Sequence, residues 1–355
     1  AGDKVWGAWF DQINCDPDVY VEQAVQSVLA GAPELILFHY DPKEFTNENA
    51  ARLREKLPVL FELARRIRGI EPVGIPAYKP PNSAPQEEHF IFDNIGMFGL
   101  PLVPTAAFPY EAKVVFLPVH AASDPDIAQK IRGVVNSGGT VLMTSGLLDA
   151  LKDDSELMAL AGYPASGGFK KAPRHALNFV VGGREVRAKA QAEIGGRLNP
   201  DSAEVLAVAK LTTTETPLIT RHRAPGGGKI IVFNTRTFNY DEETTKLTVA
   251  QYAFMMNLPG EVVQVLRDEI TEPLGIRLIA PTRVAMYLYG DKFIVLENFN
   301  DNEVNIELEI GEGFIGQEIN ALRPVLPQTG ATIQDRENRF PVHIPARDFV
   351  MLEIE

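Results

Sequence analysis

Short apolar runs alternate with amphipathic stretches from Lys4 to Thr144, and this alternation limits the fold more than any other feature. Lys4–Phe10 (KVWGAWF) reads as a buried strand that stops at Asp11-Gln12. Val19–Ala30 carries Val21, Ala24, Val25, Val28 and Leu29 at helical spacing, and Gly31 ends that helix. Glu34–Tyr40 (ELILFHY) is a second strand, closed by Asp41-Pro42. Asn47–Arg68 follows as a long amphipathic helix with Leu53, Leu57, Leu60, Phe61, Ala64 and Ile67 on one face. Strand, helix, strand, helix is the order of a parallel sheet or barrel.

The pattern restarts after Gly69–Glu71. Pro72–Tyr78 predicts a strand, Lys79–Pro85 (KPPNSAP) a polar loop and Gln86–Leu100 a helix. Leu102–Ala106 and Lys113–His120 predict two more strands. Ser123-Asp124-Pro125 is a helix start, with a capping side chain and a proline in the first turn. That helix runs to Asn136, and Thr140–Thr144 is the next strand, which together make a doubly wound α/β unit. From Ala165 onward Gly, Pro and β-branched residues dominate. Ala176–Val181 and Glu185–Ala190 read as strands, and Pro217–Arg221 with Lys229–Phe233 as a hairpin over Ala224–Gly228. One more helix, Glu242–Met256, precedes the short strands Ile276–Ile279, Arg283–Tyr289, Lys292–Asn298, Glu303–Ile310 and Phe349–Ile354. The expected class is therefore α/β plus β. A βαβα piece (1–70) leads into a doubly wound parallel sheet with a β insertion (71–265), and a small antiparallel β-sandwich (266–355) follows.

Composition excludes several function classes. A chain of 355 residues exceeds one ordinary core, and 45% hydrophobic with 23% charged residues is a globular balance. A net charge of -13 argues against a nucleic-acid surface. No run of 18 apolar residues exists to span a membrane, and no signal-peptide pattern precedes the first strand. The single cysteine, Cys15, allows no internal disulfide or cysteine metal cluster, and no histidine pair stands at i,i+4 spacing. The triple glycine before Lys229 lacks the first glycine and the Ser/Thr of a phosphate loop, so neither metal nor cofactor is expected.

Four stretches resemble parts of one enzyme family. VEQAVQSVLAGAPELILFHYDP resembles the end of the (β/α)8 barrel in family-42 β-galactosidases and their relatives. VVFLPVHAASDPDIAQKIRGVVNSGGTVLMTSG and PLITRHRAPGGGKIIVF are similar to the class I glutamine-amidotransferase-like domain that follows such barrels. YLYGDKFIVLENFNDNEVNIELEI and ARDFVMLEIE resemble the small β domain that closes these enzymes. The resemblance implies a flavodoxin-like middle domain that mediates assembly, a homo-oligomer (a trimer in the resembled enzymes) and carbohydrate as the partner. About 70 residues precede the second unit, whereas a complete barrel needs about 250.

Each candidate site residue has a second reading. Asp11 ends the first strand, where barrel catalytic residues gather, yet the resembled nucleophile is a Glu, about one methylene longer. Asp11 also reads as a loop carboxylate or a helix cap. His39 and Asp41 end the second strand and could line the same cleft, and Trp6 or Trp9 could stack on a sugar. Trp6, Ala8 and Phe10 share one strand face and Trp9 takes the other, so at least one Trp is expected in the core. In the middle domain, Met143-Thr144-Ser145-Gly146 occupies the turn where an amidotransferase places its cysteine. Cys15 lies elsewhere, which excludes cysteine-based glutamine hydrolysis. Thr144 or Ser145 reads as a helix cap, and a Ser145 hydrolase is the outlying possibility. His120 ends a strand with no evident nucleophile beside it. The expected function is a glycoside hydrolase-related protein with an inactive amidotransferase-like domain; the alternative is a non-enzymatic carbohydrate- or protein-binding module.

Overall fold

The structure, a computed structural model, describes residues 7–11, 15–38, 47–86, 88, 90–235, 256–311, 313–314, 316, 319–335 and 337–355. The chain forms two compact units, Ala1–Gly74 with Val284–Glu355, and Ile75–Arg283. The first segment of the sequence reading shares its unit with residues 284–355, while residues 266–283 belong with the middle segment. The expected helix Glu242–Met256 falls on residues outside those described, apart from Met256.

The first unit begins with β1 (Ala8–Asp11), α1 (Pro17–Leu29), β2 (Leu35–Phe38), α2 (Asn47–Ile67) and β3 (Pro72–Val73). β1 and β2 pair in parallel, Trp9 opposite Ile36 and Asp11 opposite Phe38. Asp16 caps α1 by accepting from the Val19 amide at 2.9 Å, and Pro17 occupies the first turn. The buried side of α1 is Tyr20, Val21, Ala24, Val25, Val28 and Leu29, as its periodicity predicts. On α2 the buried stripe is Leu53, Leu60, Leu63 and Ile67, whereas Phe61 is exposed. Phe61 sits about 100° around the helix from Leu60, outside the stripe. Pro58 lies inside α2 on an exposed position, where the carbonyl it frees can meet water.

Gly74 divides the predicted strand Pro72–Tyr78. Its φ of 147° is open to glycine, and the chain leaves β3 there to enter the second unit. That unit holds β4 (Ile75–Tyr78), α3 (Ile91–Met97), β5 (Leu102–Thr105), β6 (Val114–Leu117), α4 (Ile127–Asn136), β7 (Thr140–Thr144), α5 (Ser145–Ala150) and α6 (Ser155–Leu160). It continues through β8 (Phe169–Val181), β9 (Arg184–Leu198), β10 (Glu204–Lys210), β11 (Glu215–Arg223), β12 (Lys229–Phe233), α7 (Gly260–Thr271) and β13 (Ile276–Ile279). One nine-stranded mixed sheet runs β5-β4-β6-β7-β12-β11-β10-β8-β9. Its first five strands are parallel and the remainder antiparallel. Ile75, Phe116, Leu142, Phe179, Ile231 and Phe233 bury one face against α3 and α7; Val115, Leu117, Val141 and Val232 bury the other against α4 and α5. Burial of each such side chain is worth about 1.5–3 kcal/mol. The predicted start at Ser123-Asp124 lies slightly ahead of α4, which begins at Ile127: Asp124 Oδ1 accepts from the Asp126 amide at 3.0 Å as a capping side chain would, and Oδ2 accepts from Tyr78 Oη at 2.8 Å and Lys130 Nζ at 2.6 Å.

The first unit resumes with β14 (Val284–Tyr289), β15 (Phe293–Asn298), β16 (Val304–Ile310), β17 (Ala321–Leu326), β18 (Ile333–Gln334), β19 (Arg339–Ile344) and β20 (Asp348–Ile354). A six-stranded sheet runs β18-β17-β20-β15-β14-β3, and β16 pairs antiparallel with β19. Tyr289, Phe293, Val295, Val325, Phe349 and Met351 form one core with α1 and α2.

Candidate functional site

The parallel pair β1–β2 brings Asp11 and Phe38 to one strand end by backbone register. The Asp11 side chain, Trp6, His39 and Asp41 lie outside the described residues, so the pair carries one described candidate, Trp9. Trp9 is 63% exposed, and Ile36, its register partner, 55%. Phe10 takes the opposite face and packs on Tyr20 with ring centroids 5.2 Å apart. The expected alternation therefore holds for Phe10 and Trp9, with Trp9 on the open side.

A buried polar seam joins α1 to the six-stranded sheet within this unit. Tyr287 Oη lies 3.1 Å from Glu297 Oε2 and 2.9 Å from Gln26 Nε2, and Gln26 also donates to Glu297. Arg347 donates to Glu22 at 3.2 Å and to Asp301 at 2.9 Å, and Lys56 pairs with Asp348. Burial, with Glu22 and Asp348 adding repulsion, raises the Glu297 carboxyl well above its ordinary range. The folded chain then holds a proton that the unfolded chain has lost once pH passes the ordinary carboxylate range. Stability from this group is thus full at low pH and declines as pH rises toward the folded value. Replacing Glu297 by Gln, which mimics the protonated carboxyl, should remove that decline. Calorimetric Tm profiles from about pH 5 to 8 are expected to diverge, E297Q gaining on the unsubstituted chain as pH rises; parallel profiles would contradict this.

In the second unit, the turn where the resembled fold would carry a nucleophile is sealed. Thr144 Oγ1 accepts from the Leu147 amide at 3.2 Å, which is the helix cap expected from sequence. Ser145 is 1% exposed and donates to the Thr235 carbonyl at 3.2 Å. The β9 backbone closes over it: a Cβ on Gly195 would stand 2.9 Å from Ser145 Oγ and 2.5 Å from the Thr235 carbonyl. Asn234, fully buried, fixes this cover by accepting from the Gly196 amide at 3.1 Å. It donates to the carbonyls of Gly196 at 2.8 Å and Pro217 at 2.9 Å. Ser145 Oγ is thus enclosed by backbone, with its proton given to a carbonyl.

One pair escaped sequence reasoning. His120, just past β6, is 3% exposed, and its Nδ1 lies 3.2 Å from Ser83 Oγ. Ser83 belongs to the polar loop after β4. Phe92 packs on the imidazole with centroids 5.5 Å apart, and the buried Glu88 carboxylate accepts from the amide of Val119, the residue before His120, at 2.8 Å. Asn82 and Gln86, in the same loop, adopt left-handed φ of 58° and 48°. The serine and histidine stand 37 positions apart, and no local motif links them; the topology of the sheet does.

Comparison with known proteins bears on these regions. Residues 1–78 match a family model described as a probable glycosyl hydrolase catalytic domain. Residues 70–236 match one described as the second domain of uncharacterized protein SSO3021. No curated protein matches the sequence. Among solved structures, the β-galactosidase from Bacillus circulans sp. alkalophilus aligns at TM-score 0.53 and 17% identity, over 96% of this chain and 52% of its own. A catalytic mutant of Gan42B, a GH42 β-galactosidase from G. stearothermophilus, aligns at 0.51 and 12%, over 96% and 51%. The α-L-fucosidase isoenzyme 2 from Paenibacillus thiaminolyticus aligns at 0.55 and 12%, over 96% and 57%. The chain spans about half the length of these structures. Residues 1–78 are thus similar to a glycosyl hydrolase catalytic domain, and nearly the whole chain shares the fold of about half of a GH42 β-galactosidase.

Proposed function

We propose that this chain is the assembly-bearing part of a glycoside hydrolase. Its first segment contributes the last strands of a (β/α)8 barrel, and its middle unit is an amidotransferase-like domain that has lost the amidotransferase nucleophile and its glutamine chemistry and serves homo-oligomerisation. The enclosure of Thr144 and Ser145 beneath Gly195 and Asn234 carries the second part of this reading. The first part rests on the parallel β1–β2 pair. Parallel strands are ordinarily covered on both faces, and Trp9 with Ile36 leaves one face open here. Cleavage of a glycosidic bond needs two carboxylates roughly 5–10 Å apart, and Asp11 supplies at most one. The isolated chain should therefore leave aryl β-galactosides and β-glucosides intact while light scattering reports an oligomer, a trimer by analogy. Robust turnover that disappears on Asp11→Ala would overturn this reading.

The exposed Trp9 favours a second reading, a binding module in which the indole stacks on a sugar face. A monomer whose tryptophan fluorescence saturates with oligosaccharide, and no longer responds after Trp9→Ala, would support it.

A further inference from the structure

The geometry points to a serine acyl-transfer site made by Ser83 and His120 at the carboxyl end of the central sheet. We infer that this pair hydrolyses carboxylic esters, a chemistry separate from glycoside cleavage. Four observations carry the inference. First is position. β4 is flanked by β5 on one side and β6 on the other, so the chain reverses its winding direction there. Crevices beyond the carboxyl ends of strands at such a reversal are where open α/β sheets bind ligands. The Ser83 loop follows β4 and His120 follows β6, one on each side of that crevice.

Second is the pairing itself. With the imidazole proton on Nε2, Nδ1 accepts from the serine hydroxyl, and 3.2 Å is within hydrogen-bond reach of a general base. Third is support. Phe92 packs on the ring with centroids 5.5 Å apart, and the buried Glu88 carboxylate accepts from the Val119 amide, which anchors the backbone beside His120. A Cβ on Gly146 would meet Glu88 Oε1 at 2.3 Å, so a glycine stands where this carboxylate needs room. Fourth is backbone strain. The left-handed residues Asn82 and Gln86 bracket Ser83, and non-glycine residues hold such conformations at a cost that functional sites commonly retain. Ser83 is half-buried, reachable from solvent where Ser145 is not.

The step balances without a cofactor. His120 Nδ1 takes the hydroxyl proton as Ser83 Oγ bonds to the ester carbonyl carbon, and the carbonyl electrons move to oxygen. Collapse breaks the bond to the leaving alkoxide, which receives the proton from His120, and an acyl-serine remains. Water, deprotonated by the same imidazole, attacks that ester, releases the carboxylic acid and restores Ser83.

A biotinylated fluorophosphonate incubated with the full chain tests this directly. One adduct is expected, on the tryptic peptide 69–113, in which Ser83 is the sole serine. Ser83→Ala should abolish it, and His120→Gln should slow it about 100-fold. The labelling rate should rise with pH through an imidazole titration, which a serine held only for structure would not do. The proposal fails if the folded chain stays unlabelled, if the adduct maps elsewhere, or if it persists in Ser83→Ala.

Discussion

Arg267→Met is expected to lower the stability of the second unit by about 3–5 kcal/mol, the cost of breaking a buried charged network from one side. Arg267 lies in α7 and is fully buried. Its guanidinium donates to the carbonyls of Phe98, Ala280 and Pro281, and at 3.2 Å to Gln264 Oε1. Phe98 is the C-cap of α3, so the cation also sits at a helix end whose carbonyls favour positive charge. Burial pulls the Arg267 pKa down to about 9, still protonated at neutral pH. Methionine fills much the same volume and leaves three buried carbonyls without their donor. Arg267→Lys keeps the charge but not the planar fork, and should lose most of the same stability. In a unit this size each kcal/mol moves Tm by about 2–4 °C, so a drop of roughly 6–20 °C should register in calorimetry. A shift below about 2 °C would mean that water replaces the guanidinium at low cost.

Much of the architecture was legible in the sequence because it depends on local periodicity. The stripe Val21, Ala24, Val25, Val28, Leu29 specified α1, and the glycines at 226–228 marked the turn between β11 and β12. A Cβ on Gly228 would stand 2.0 Å from the Val135 carbonyl, so that turn admits little else. Long-range order was not legible. β3 pairs with β14 across more than 200 residues, and nothing within PVGIPAY signals that its first two residues belong to a different sheet from the rest. The candidate site divides along the same line. Thr144 could be read as a cap because capping is local. The Ser83–His120 pair arises only when β4 and β6 lie side by side, and the loop KPPNSAP reads alone as turn chemistry.

Asn234 supports the second large effect. Its side chain is saturated: the oxygen takes the Gly196 amide and the two amide hydrogens go to the Gly196 and Pro217 carbonyls. Asn234→Ala takes this partner from the Gly196 amide and the Pro217 carbonyl, while the Gly196 carbonyl keeps Thr216 Oγ1 at 3.3 Å; at about 1 kcal/mol or more for each orphaned group, a loss of about 2 kcal/mol is expected. Only glycine fits at 196, because a Cβ there would stand 2.4 Å from the Lys170 carbonyl. The isosteric change Asn234→Asp makes the sharper test. An ionised aspartate retains the acceptor for Gly196 but aims its second oxygen at two carbonyl oxygens, with no proton to offer either. Its carboxyl should therefore be pushed up, and the folded state should hold a proton that the unfolded state releases above the ordinary carboxylate range. The variant is then most stable at low pH and loses stability as pH rises, whereas Asn234→Ala loses the same amount at every pH. Chemical denaturation at about pH 4 and pH 8 distinguishes the two, and equal pH responses would mean that the side chain at 234 does not pin β9 over Ser145. Loss of that pin need not create a catalyst: Thr144 still caps α5, and no imidazole among the described residues hydrogen-bonds to Ser145.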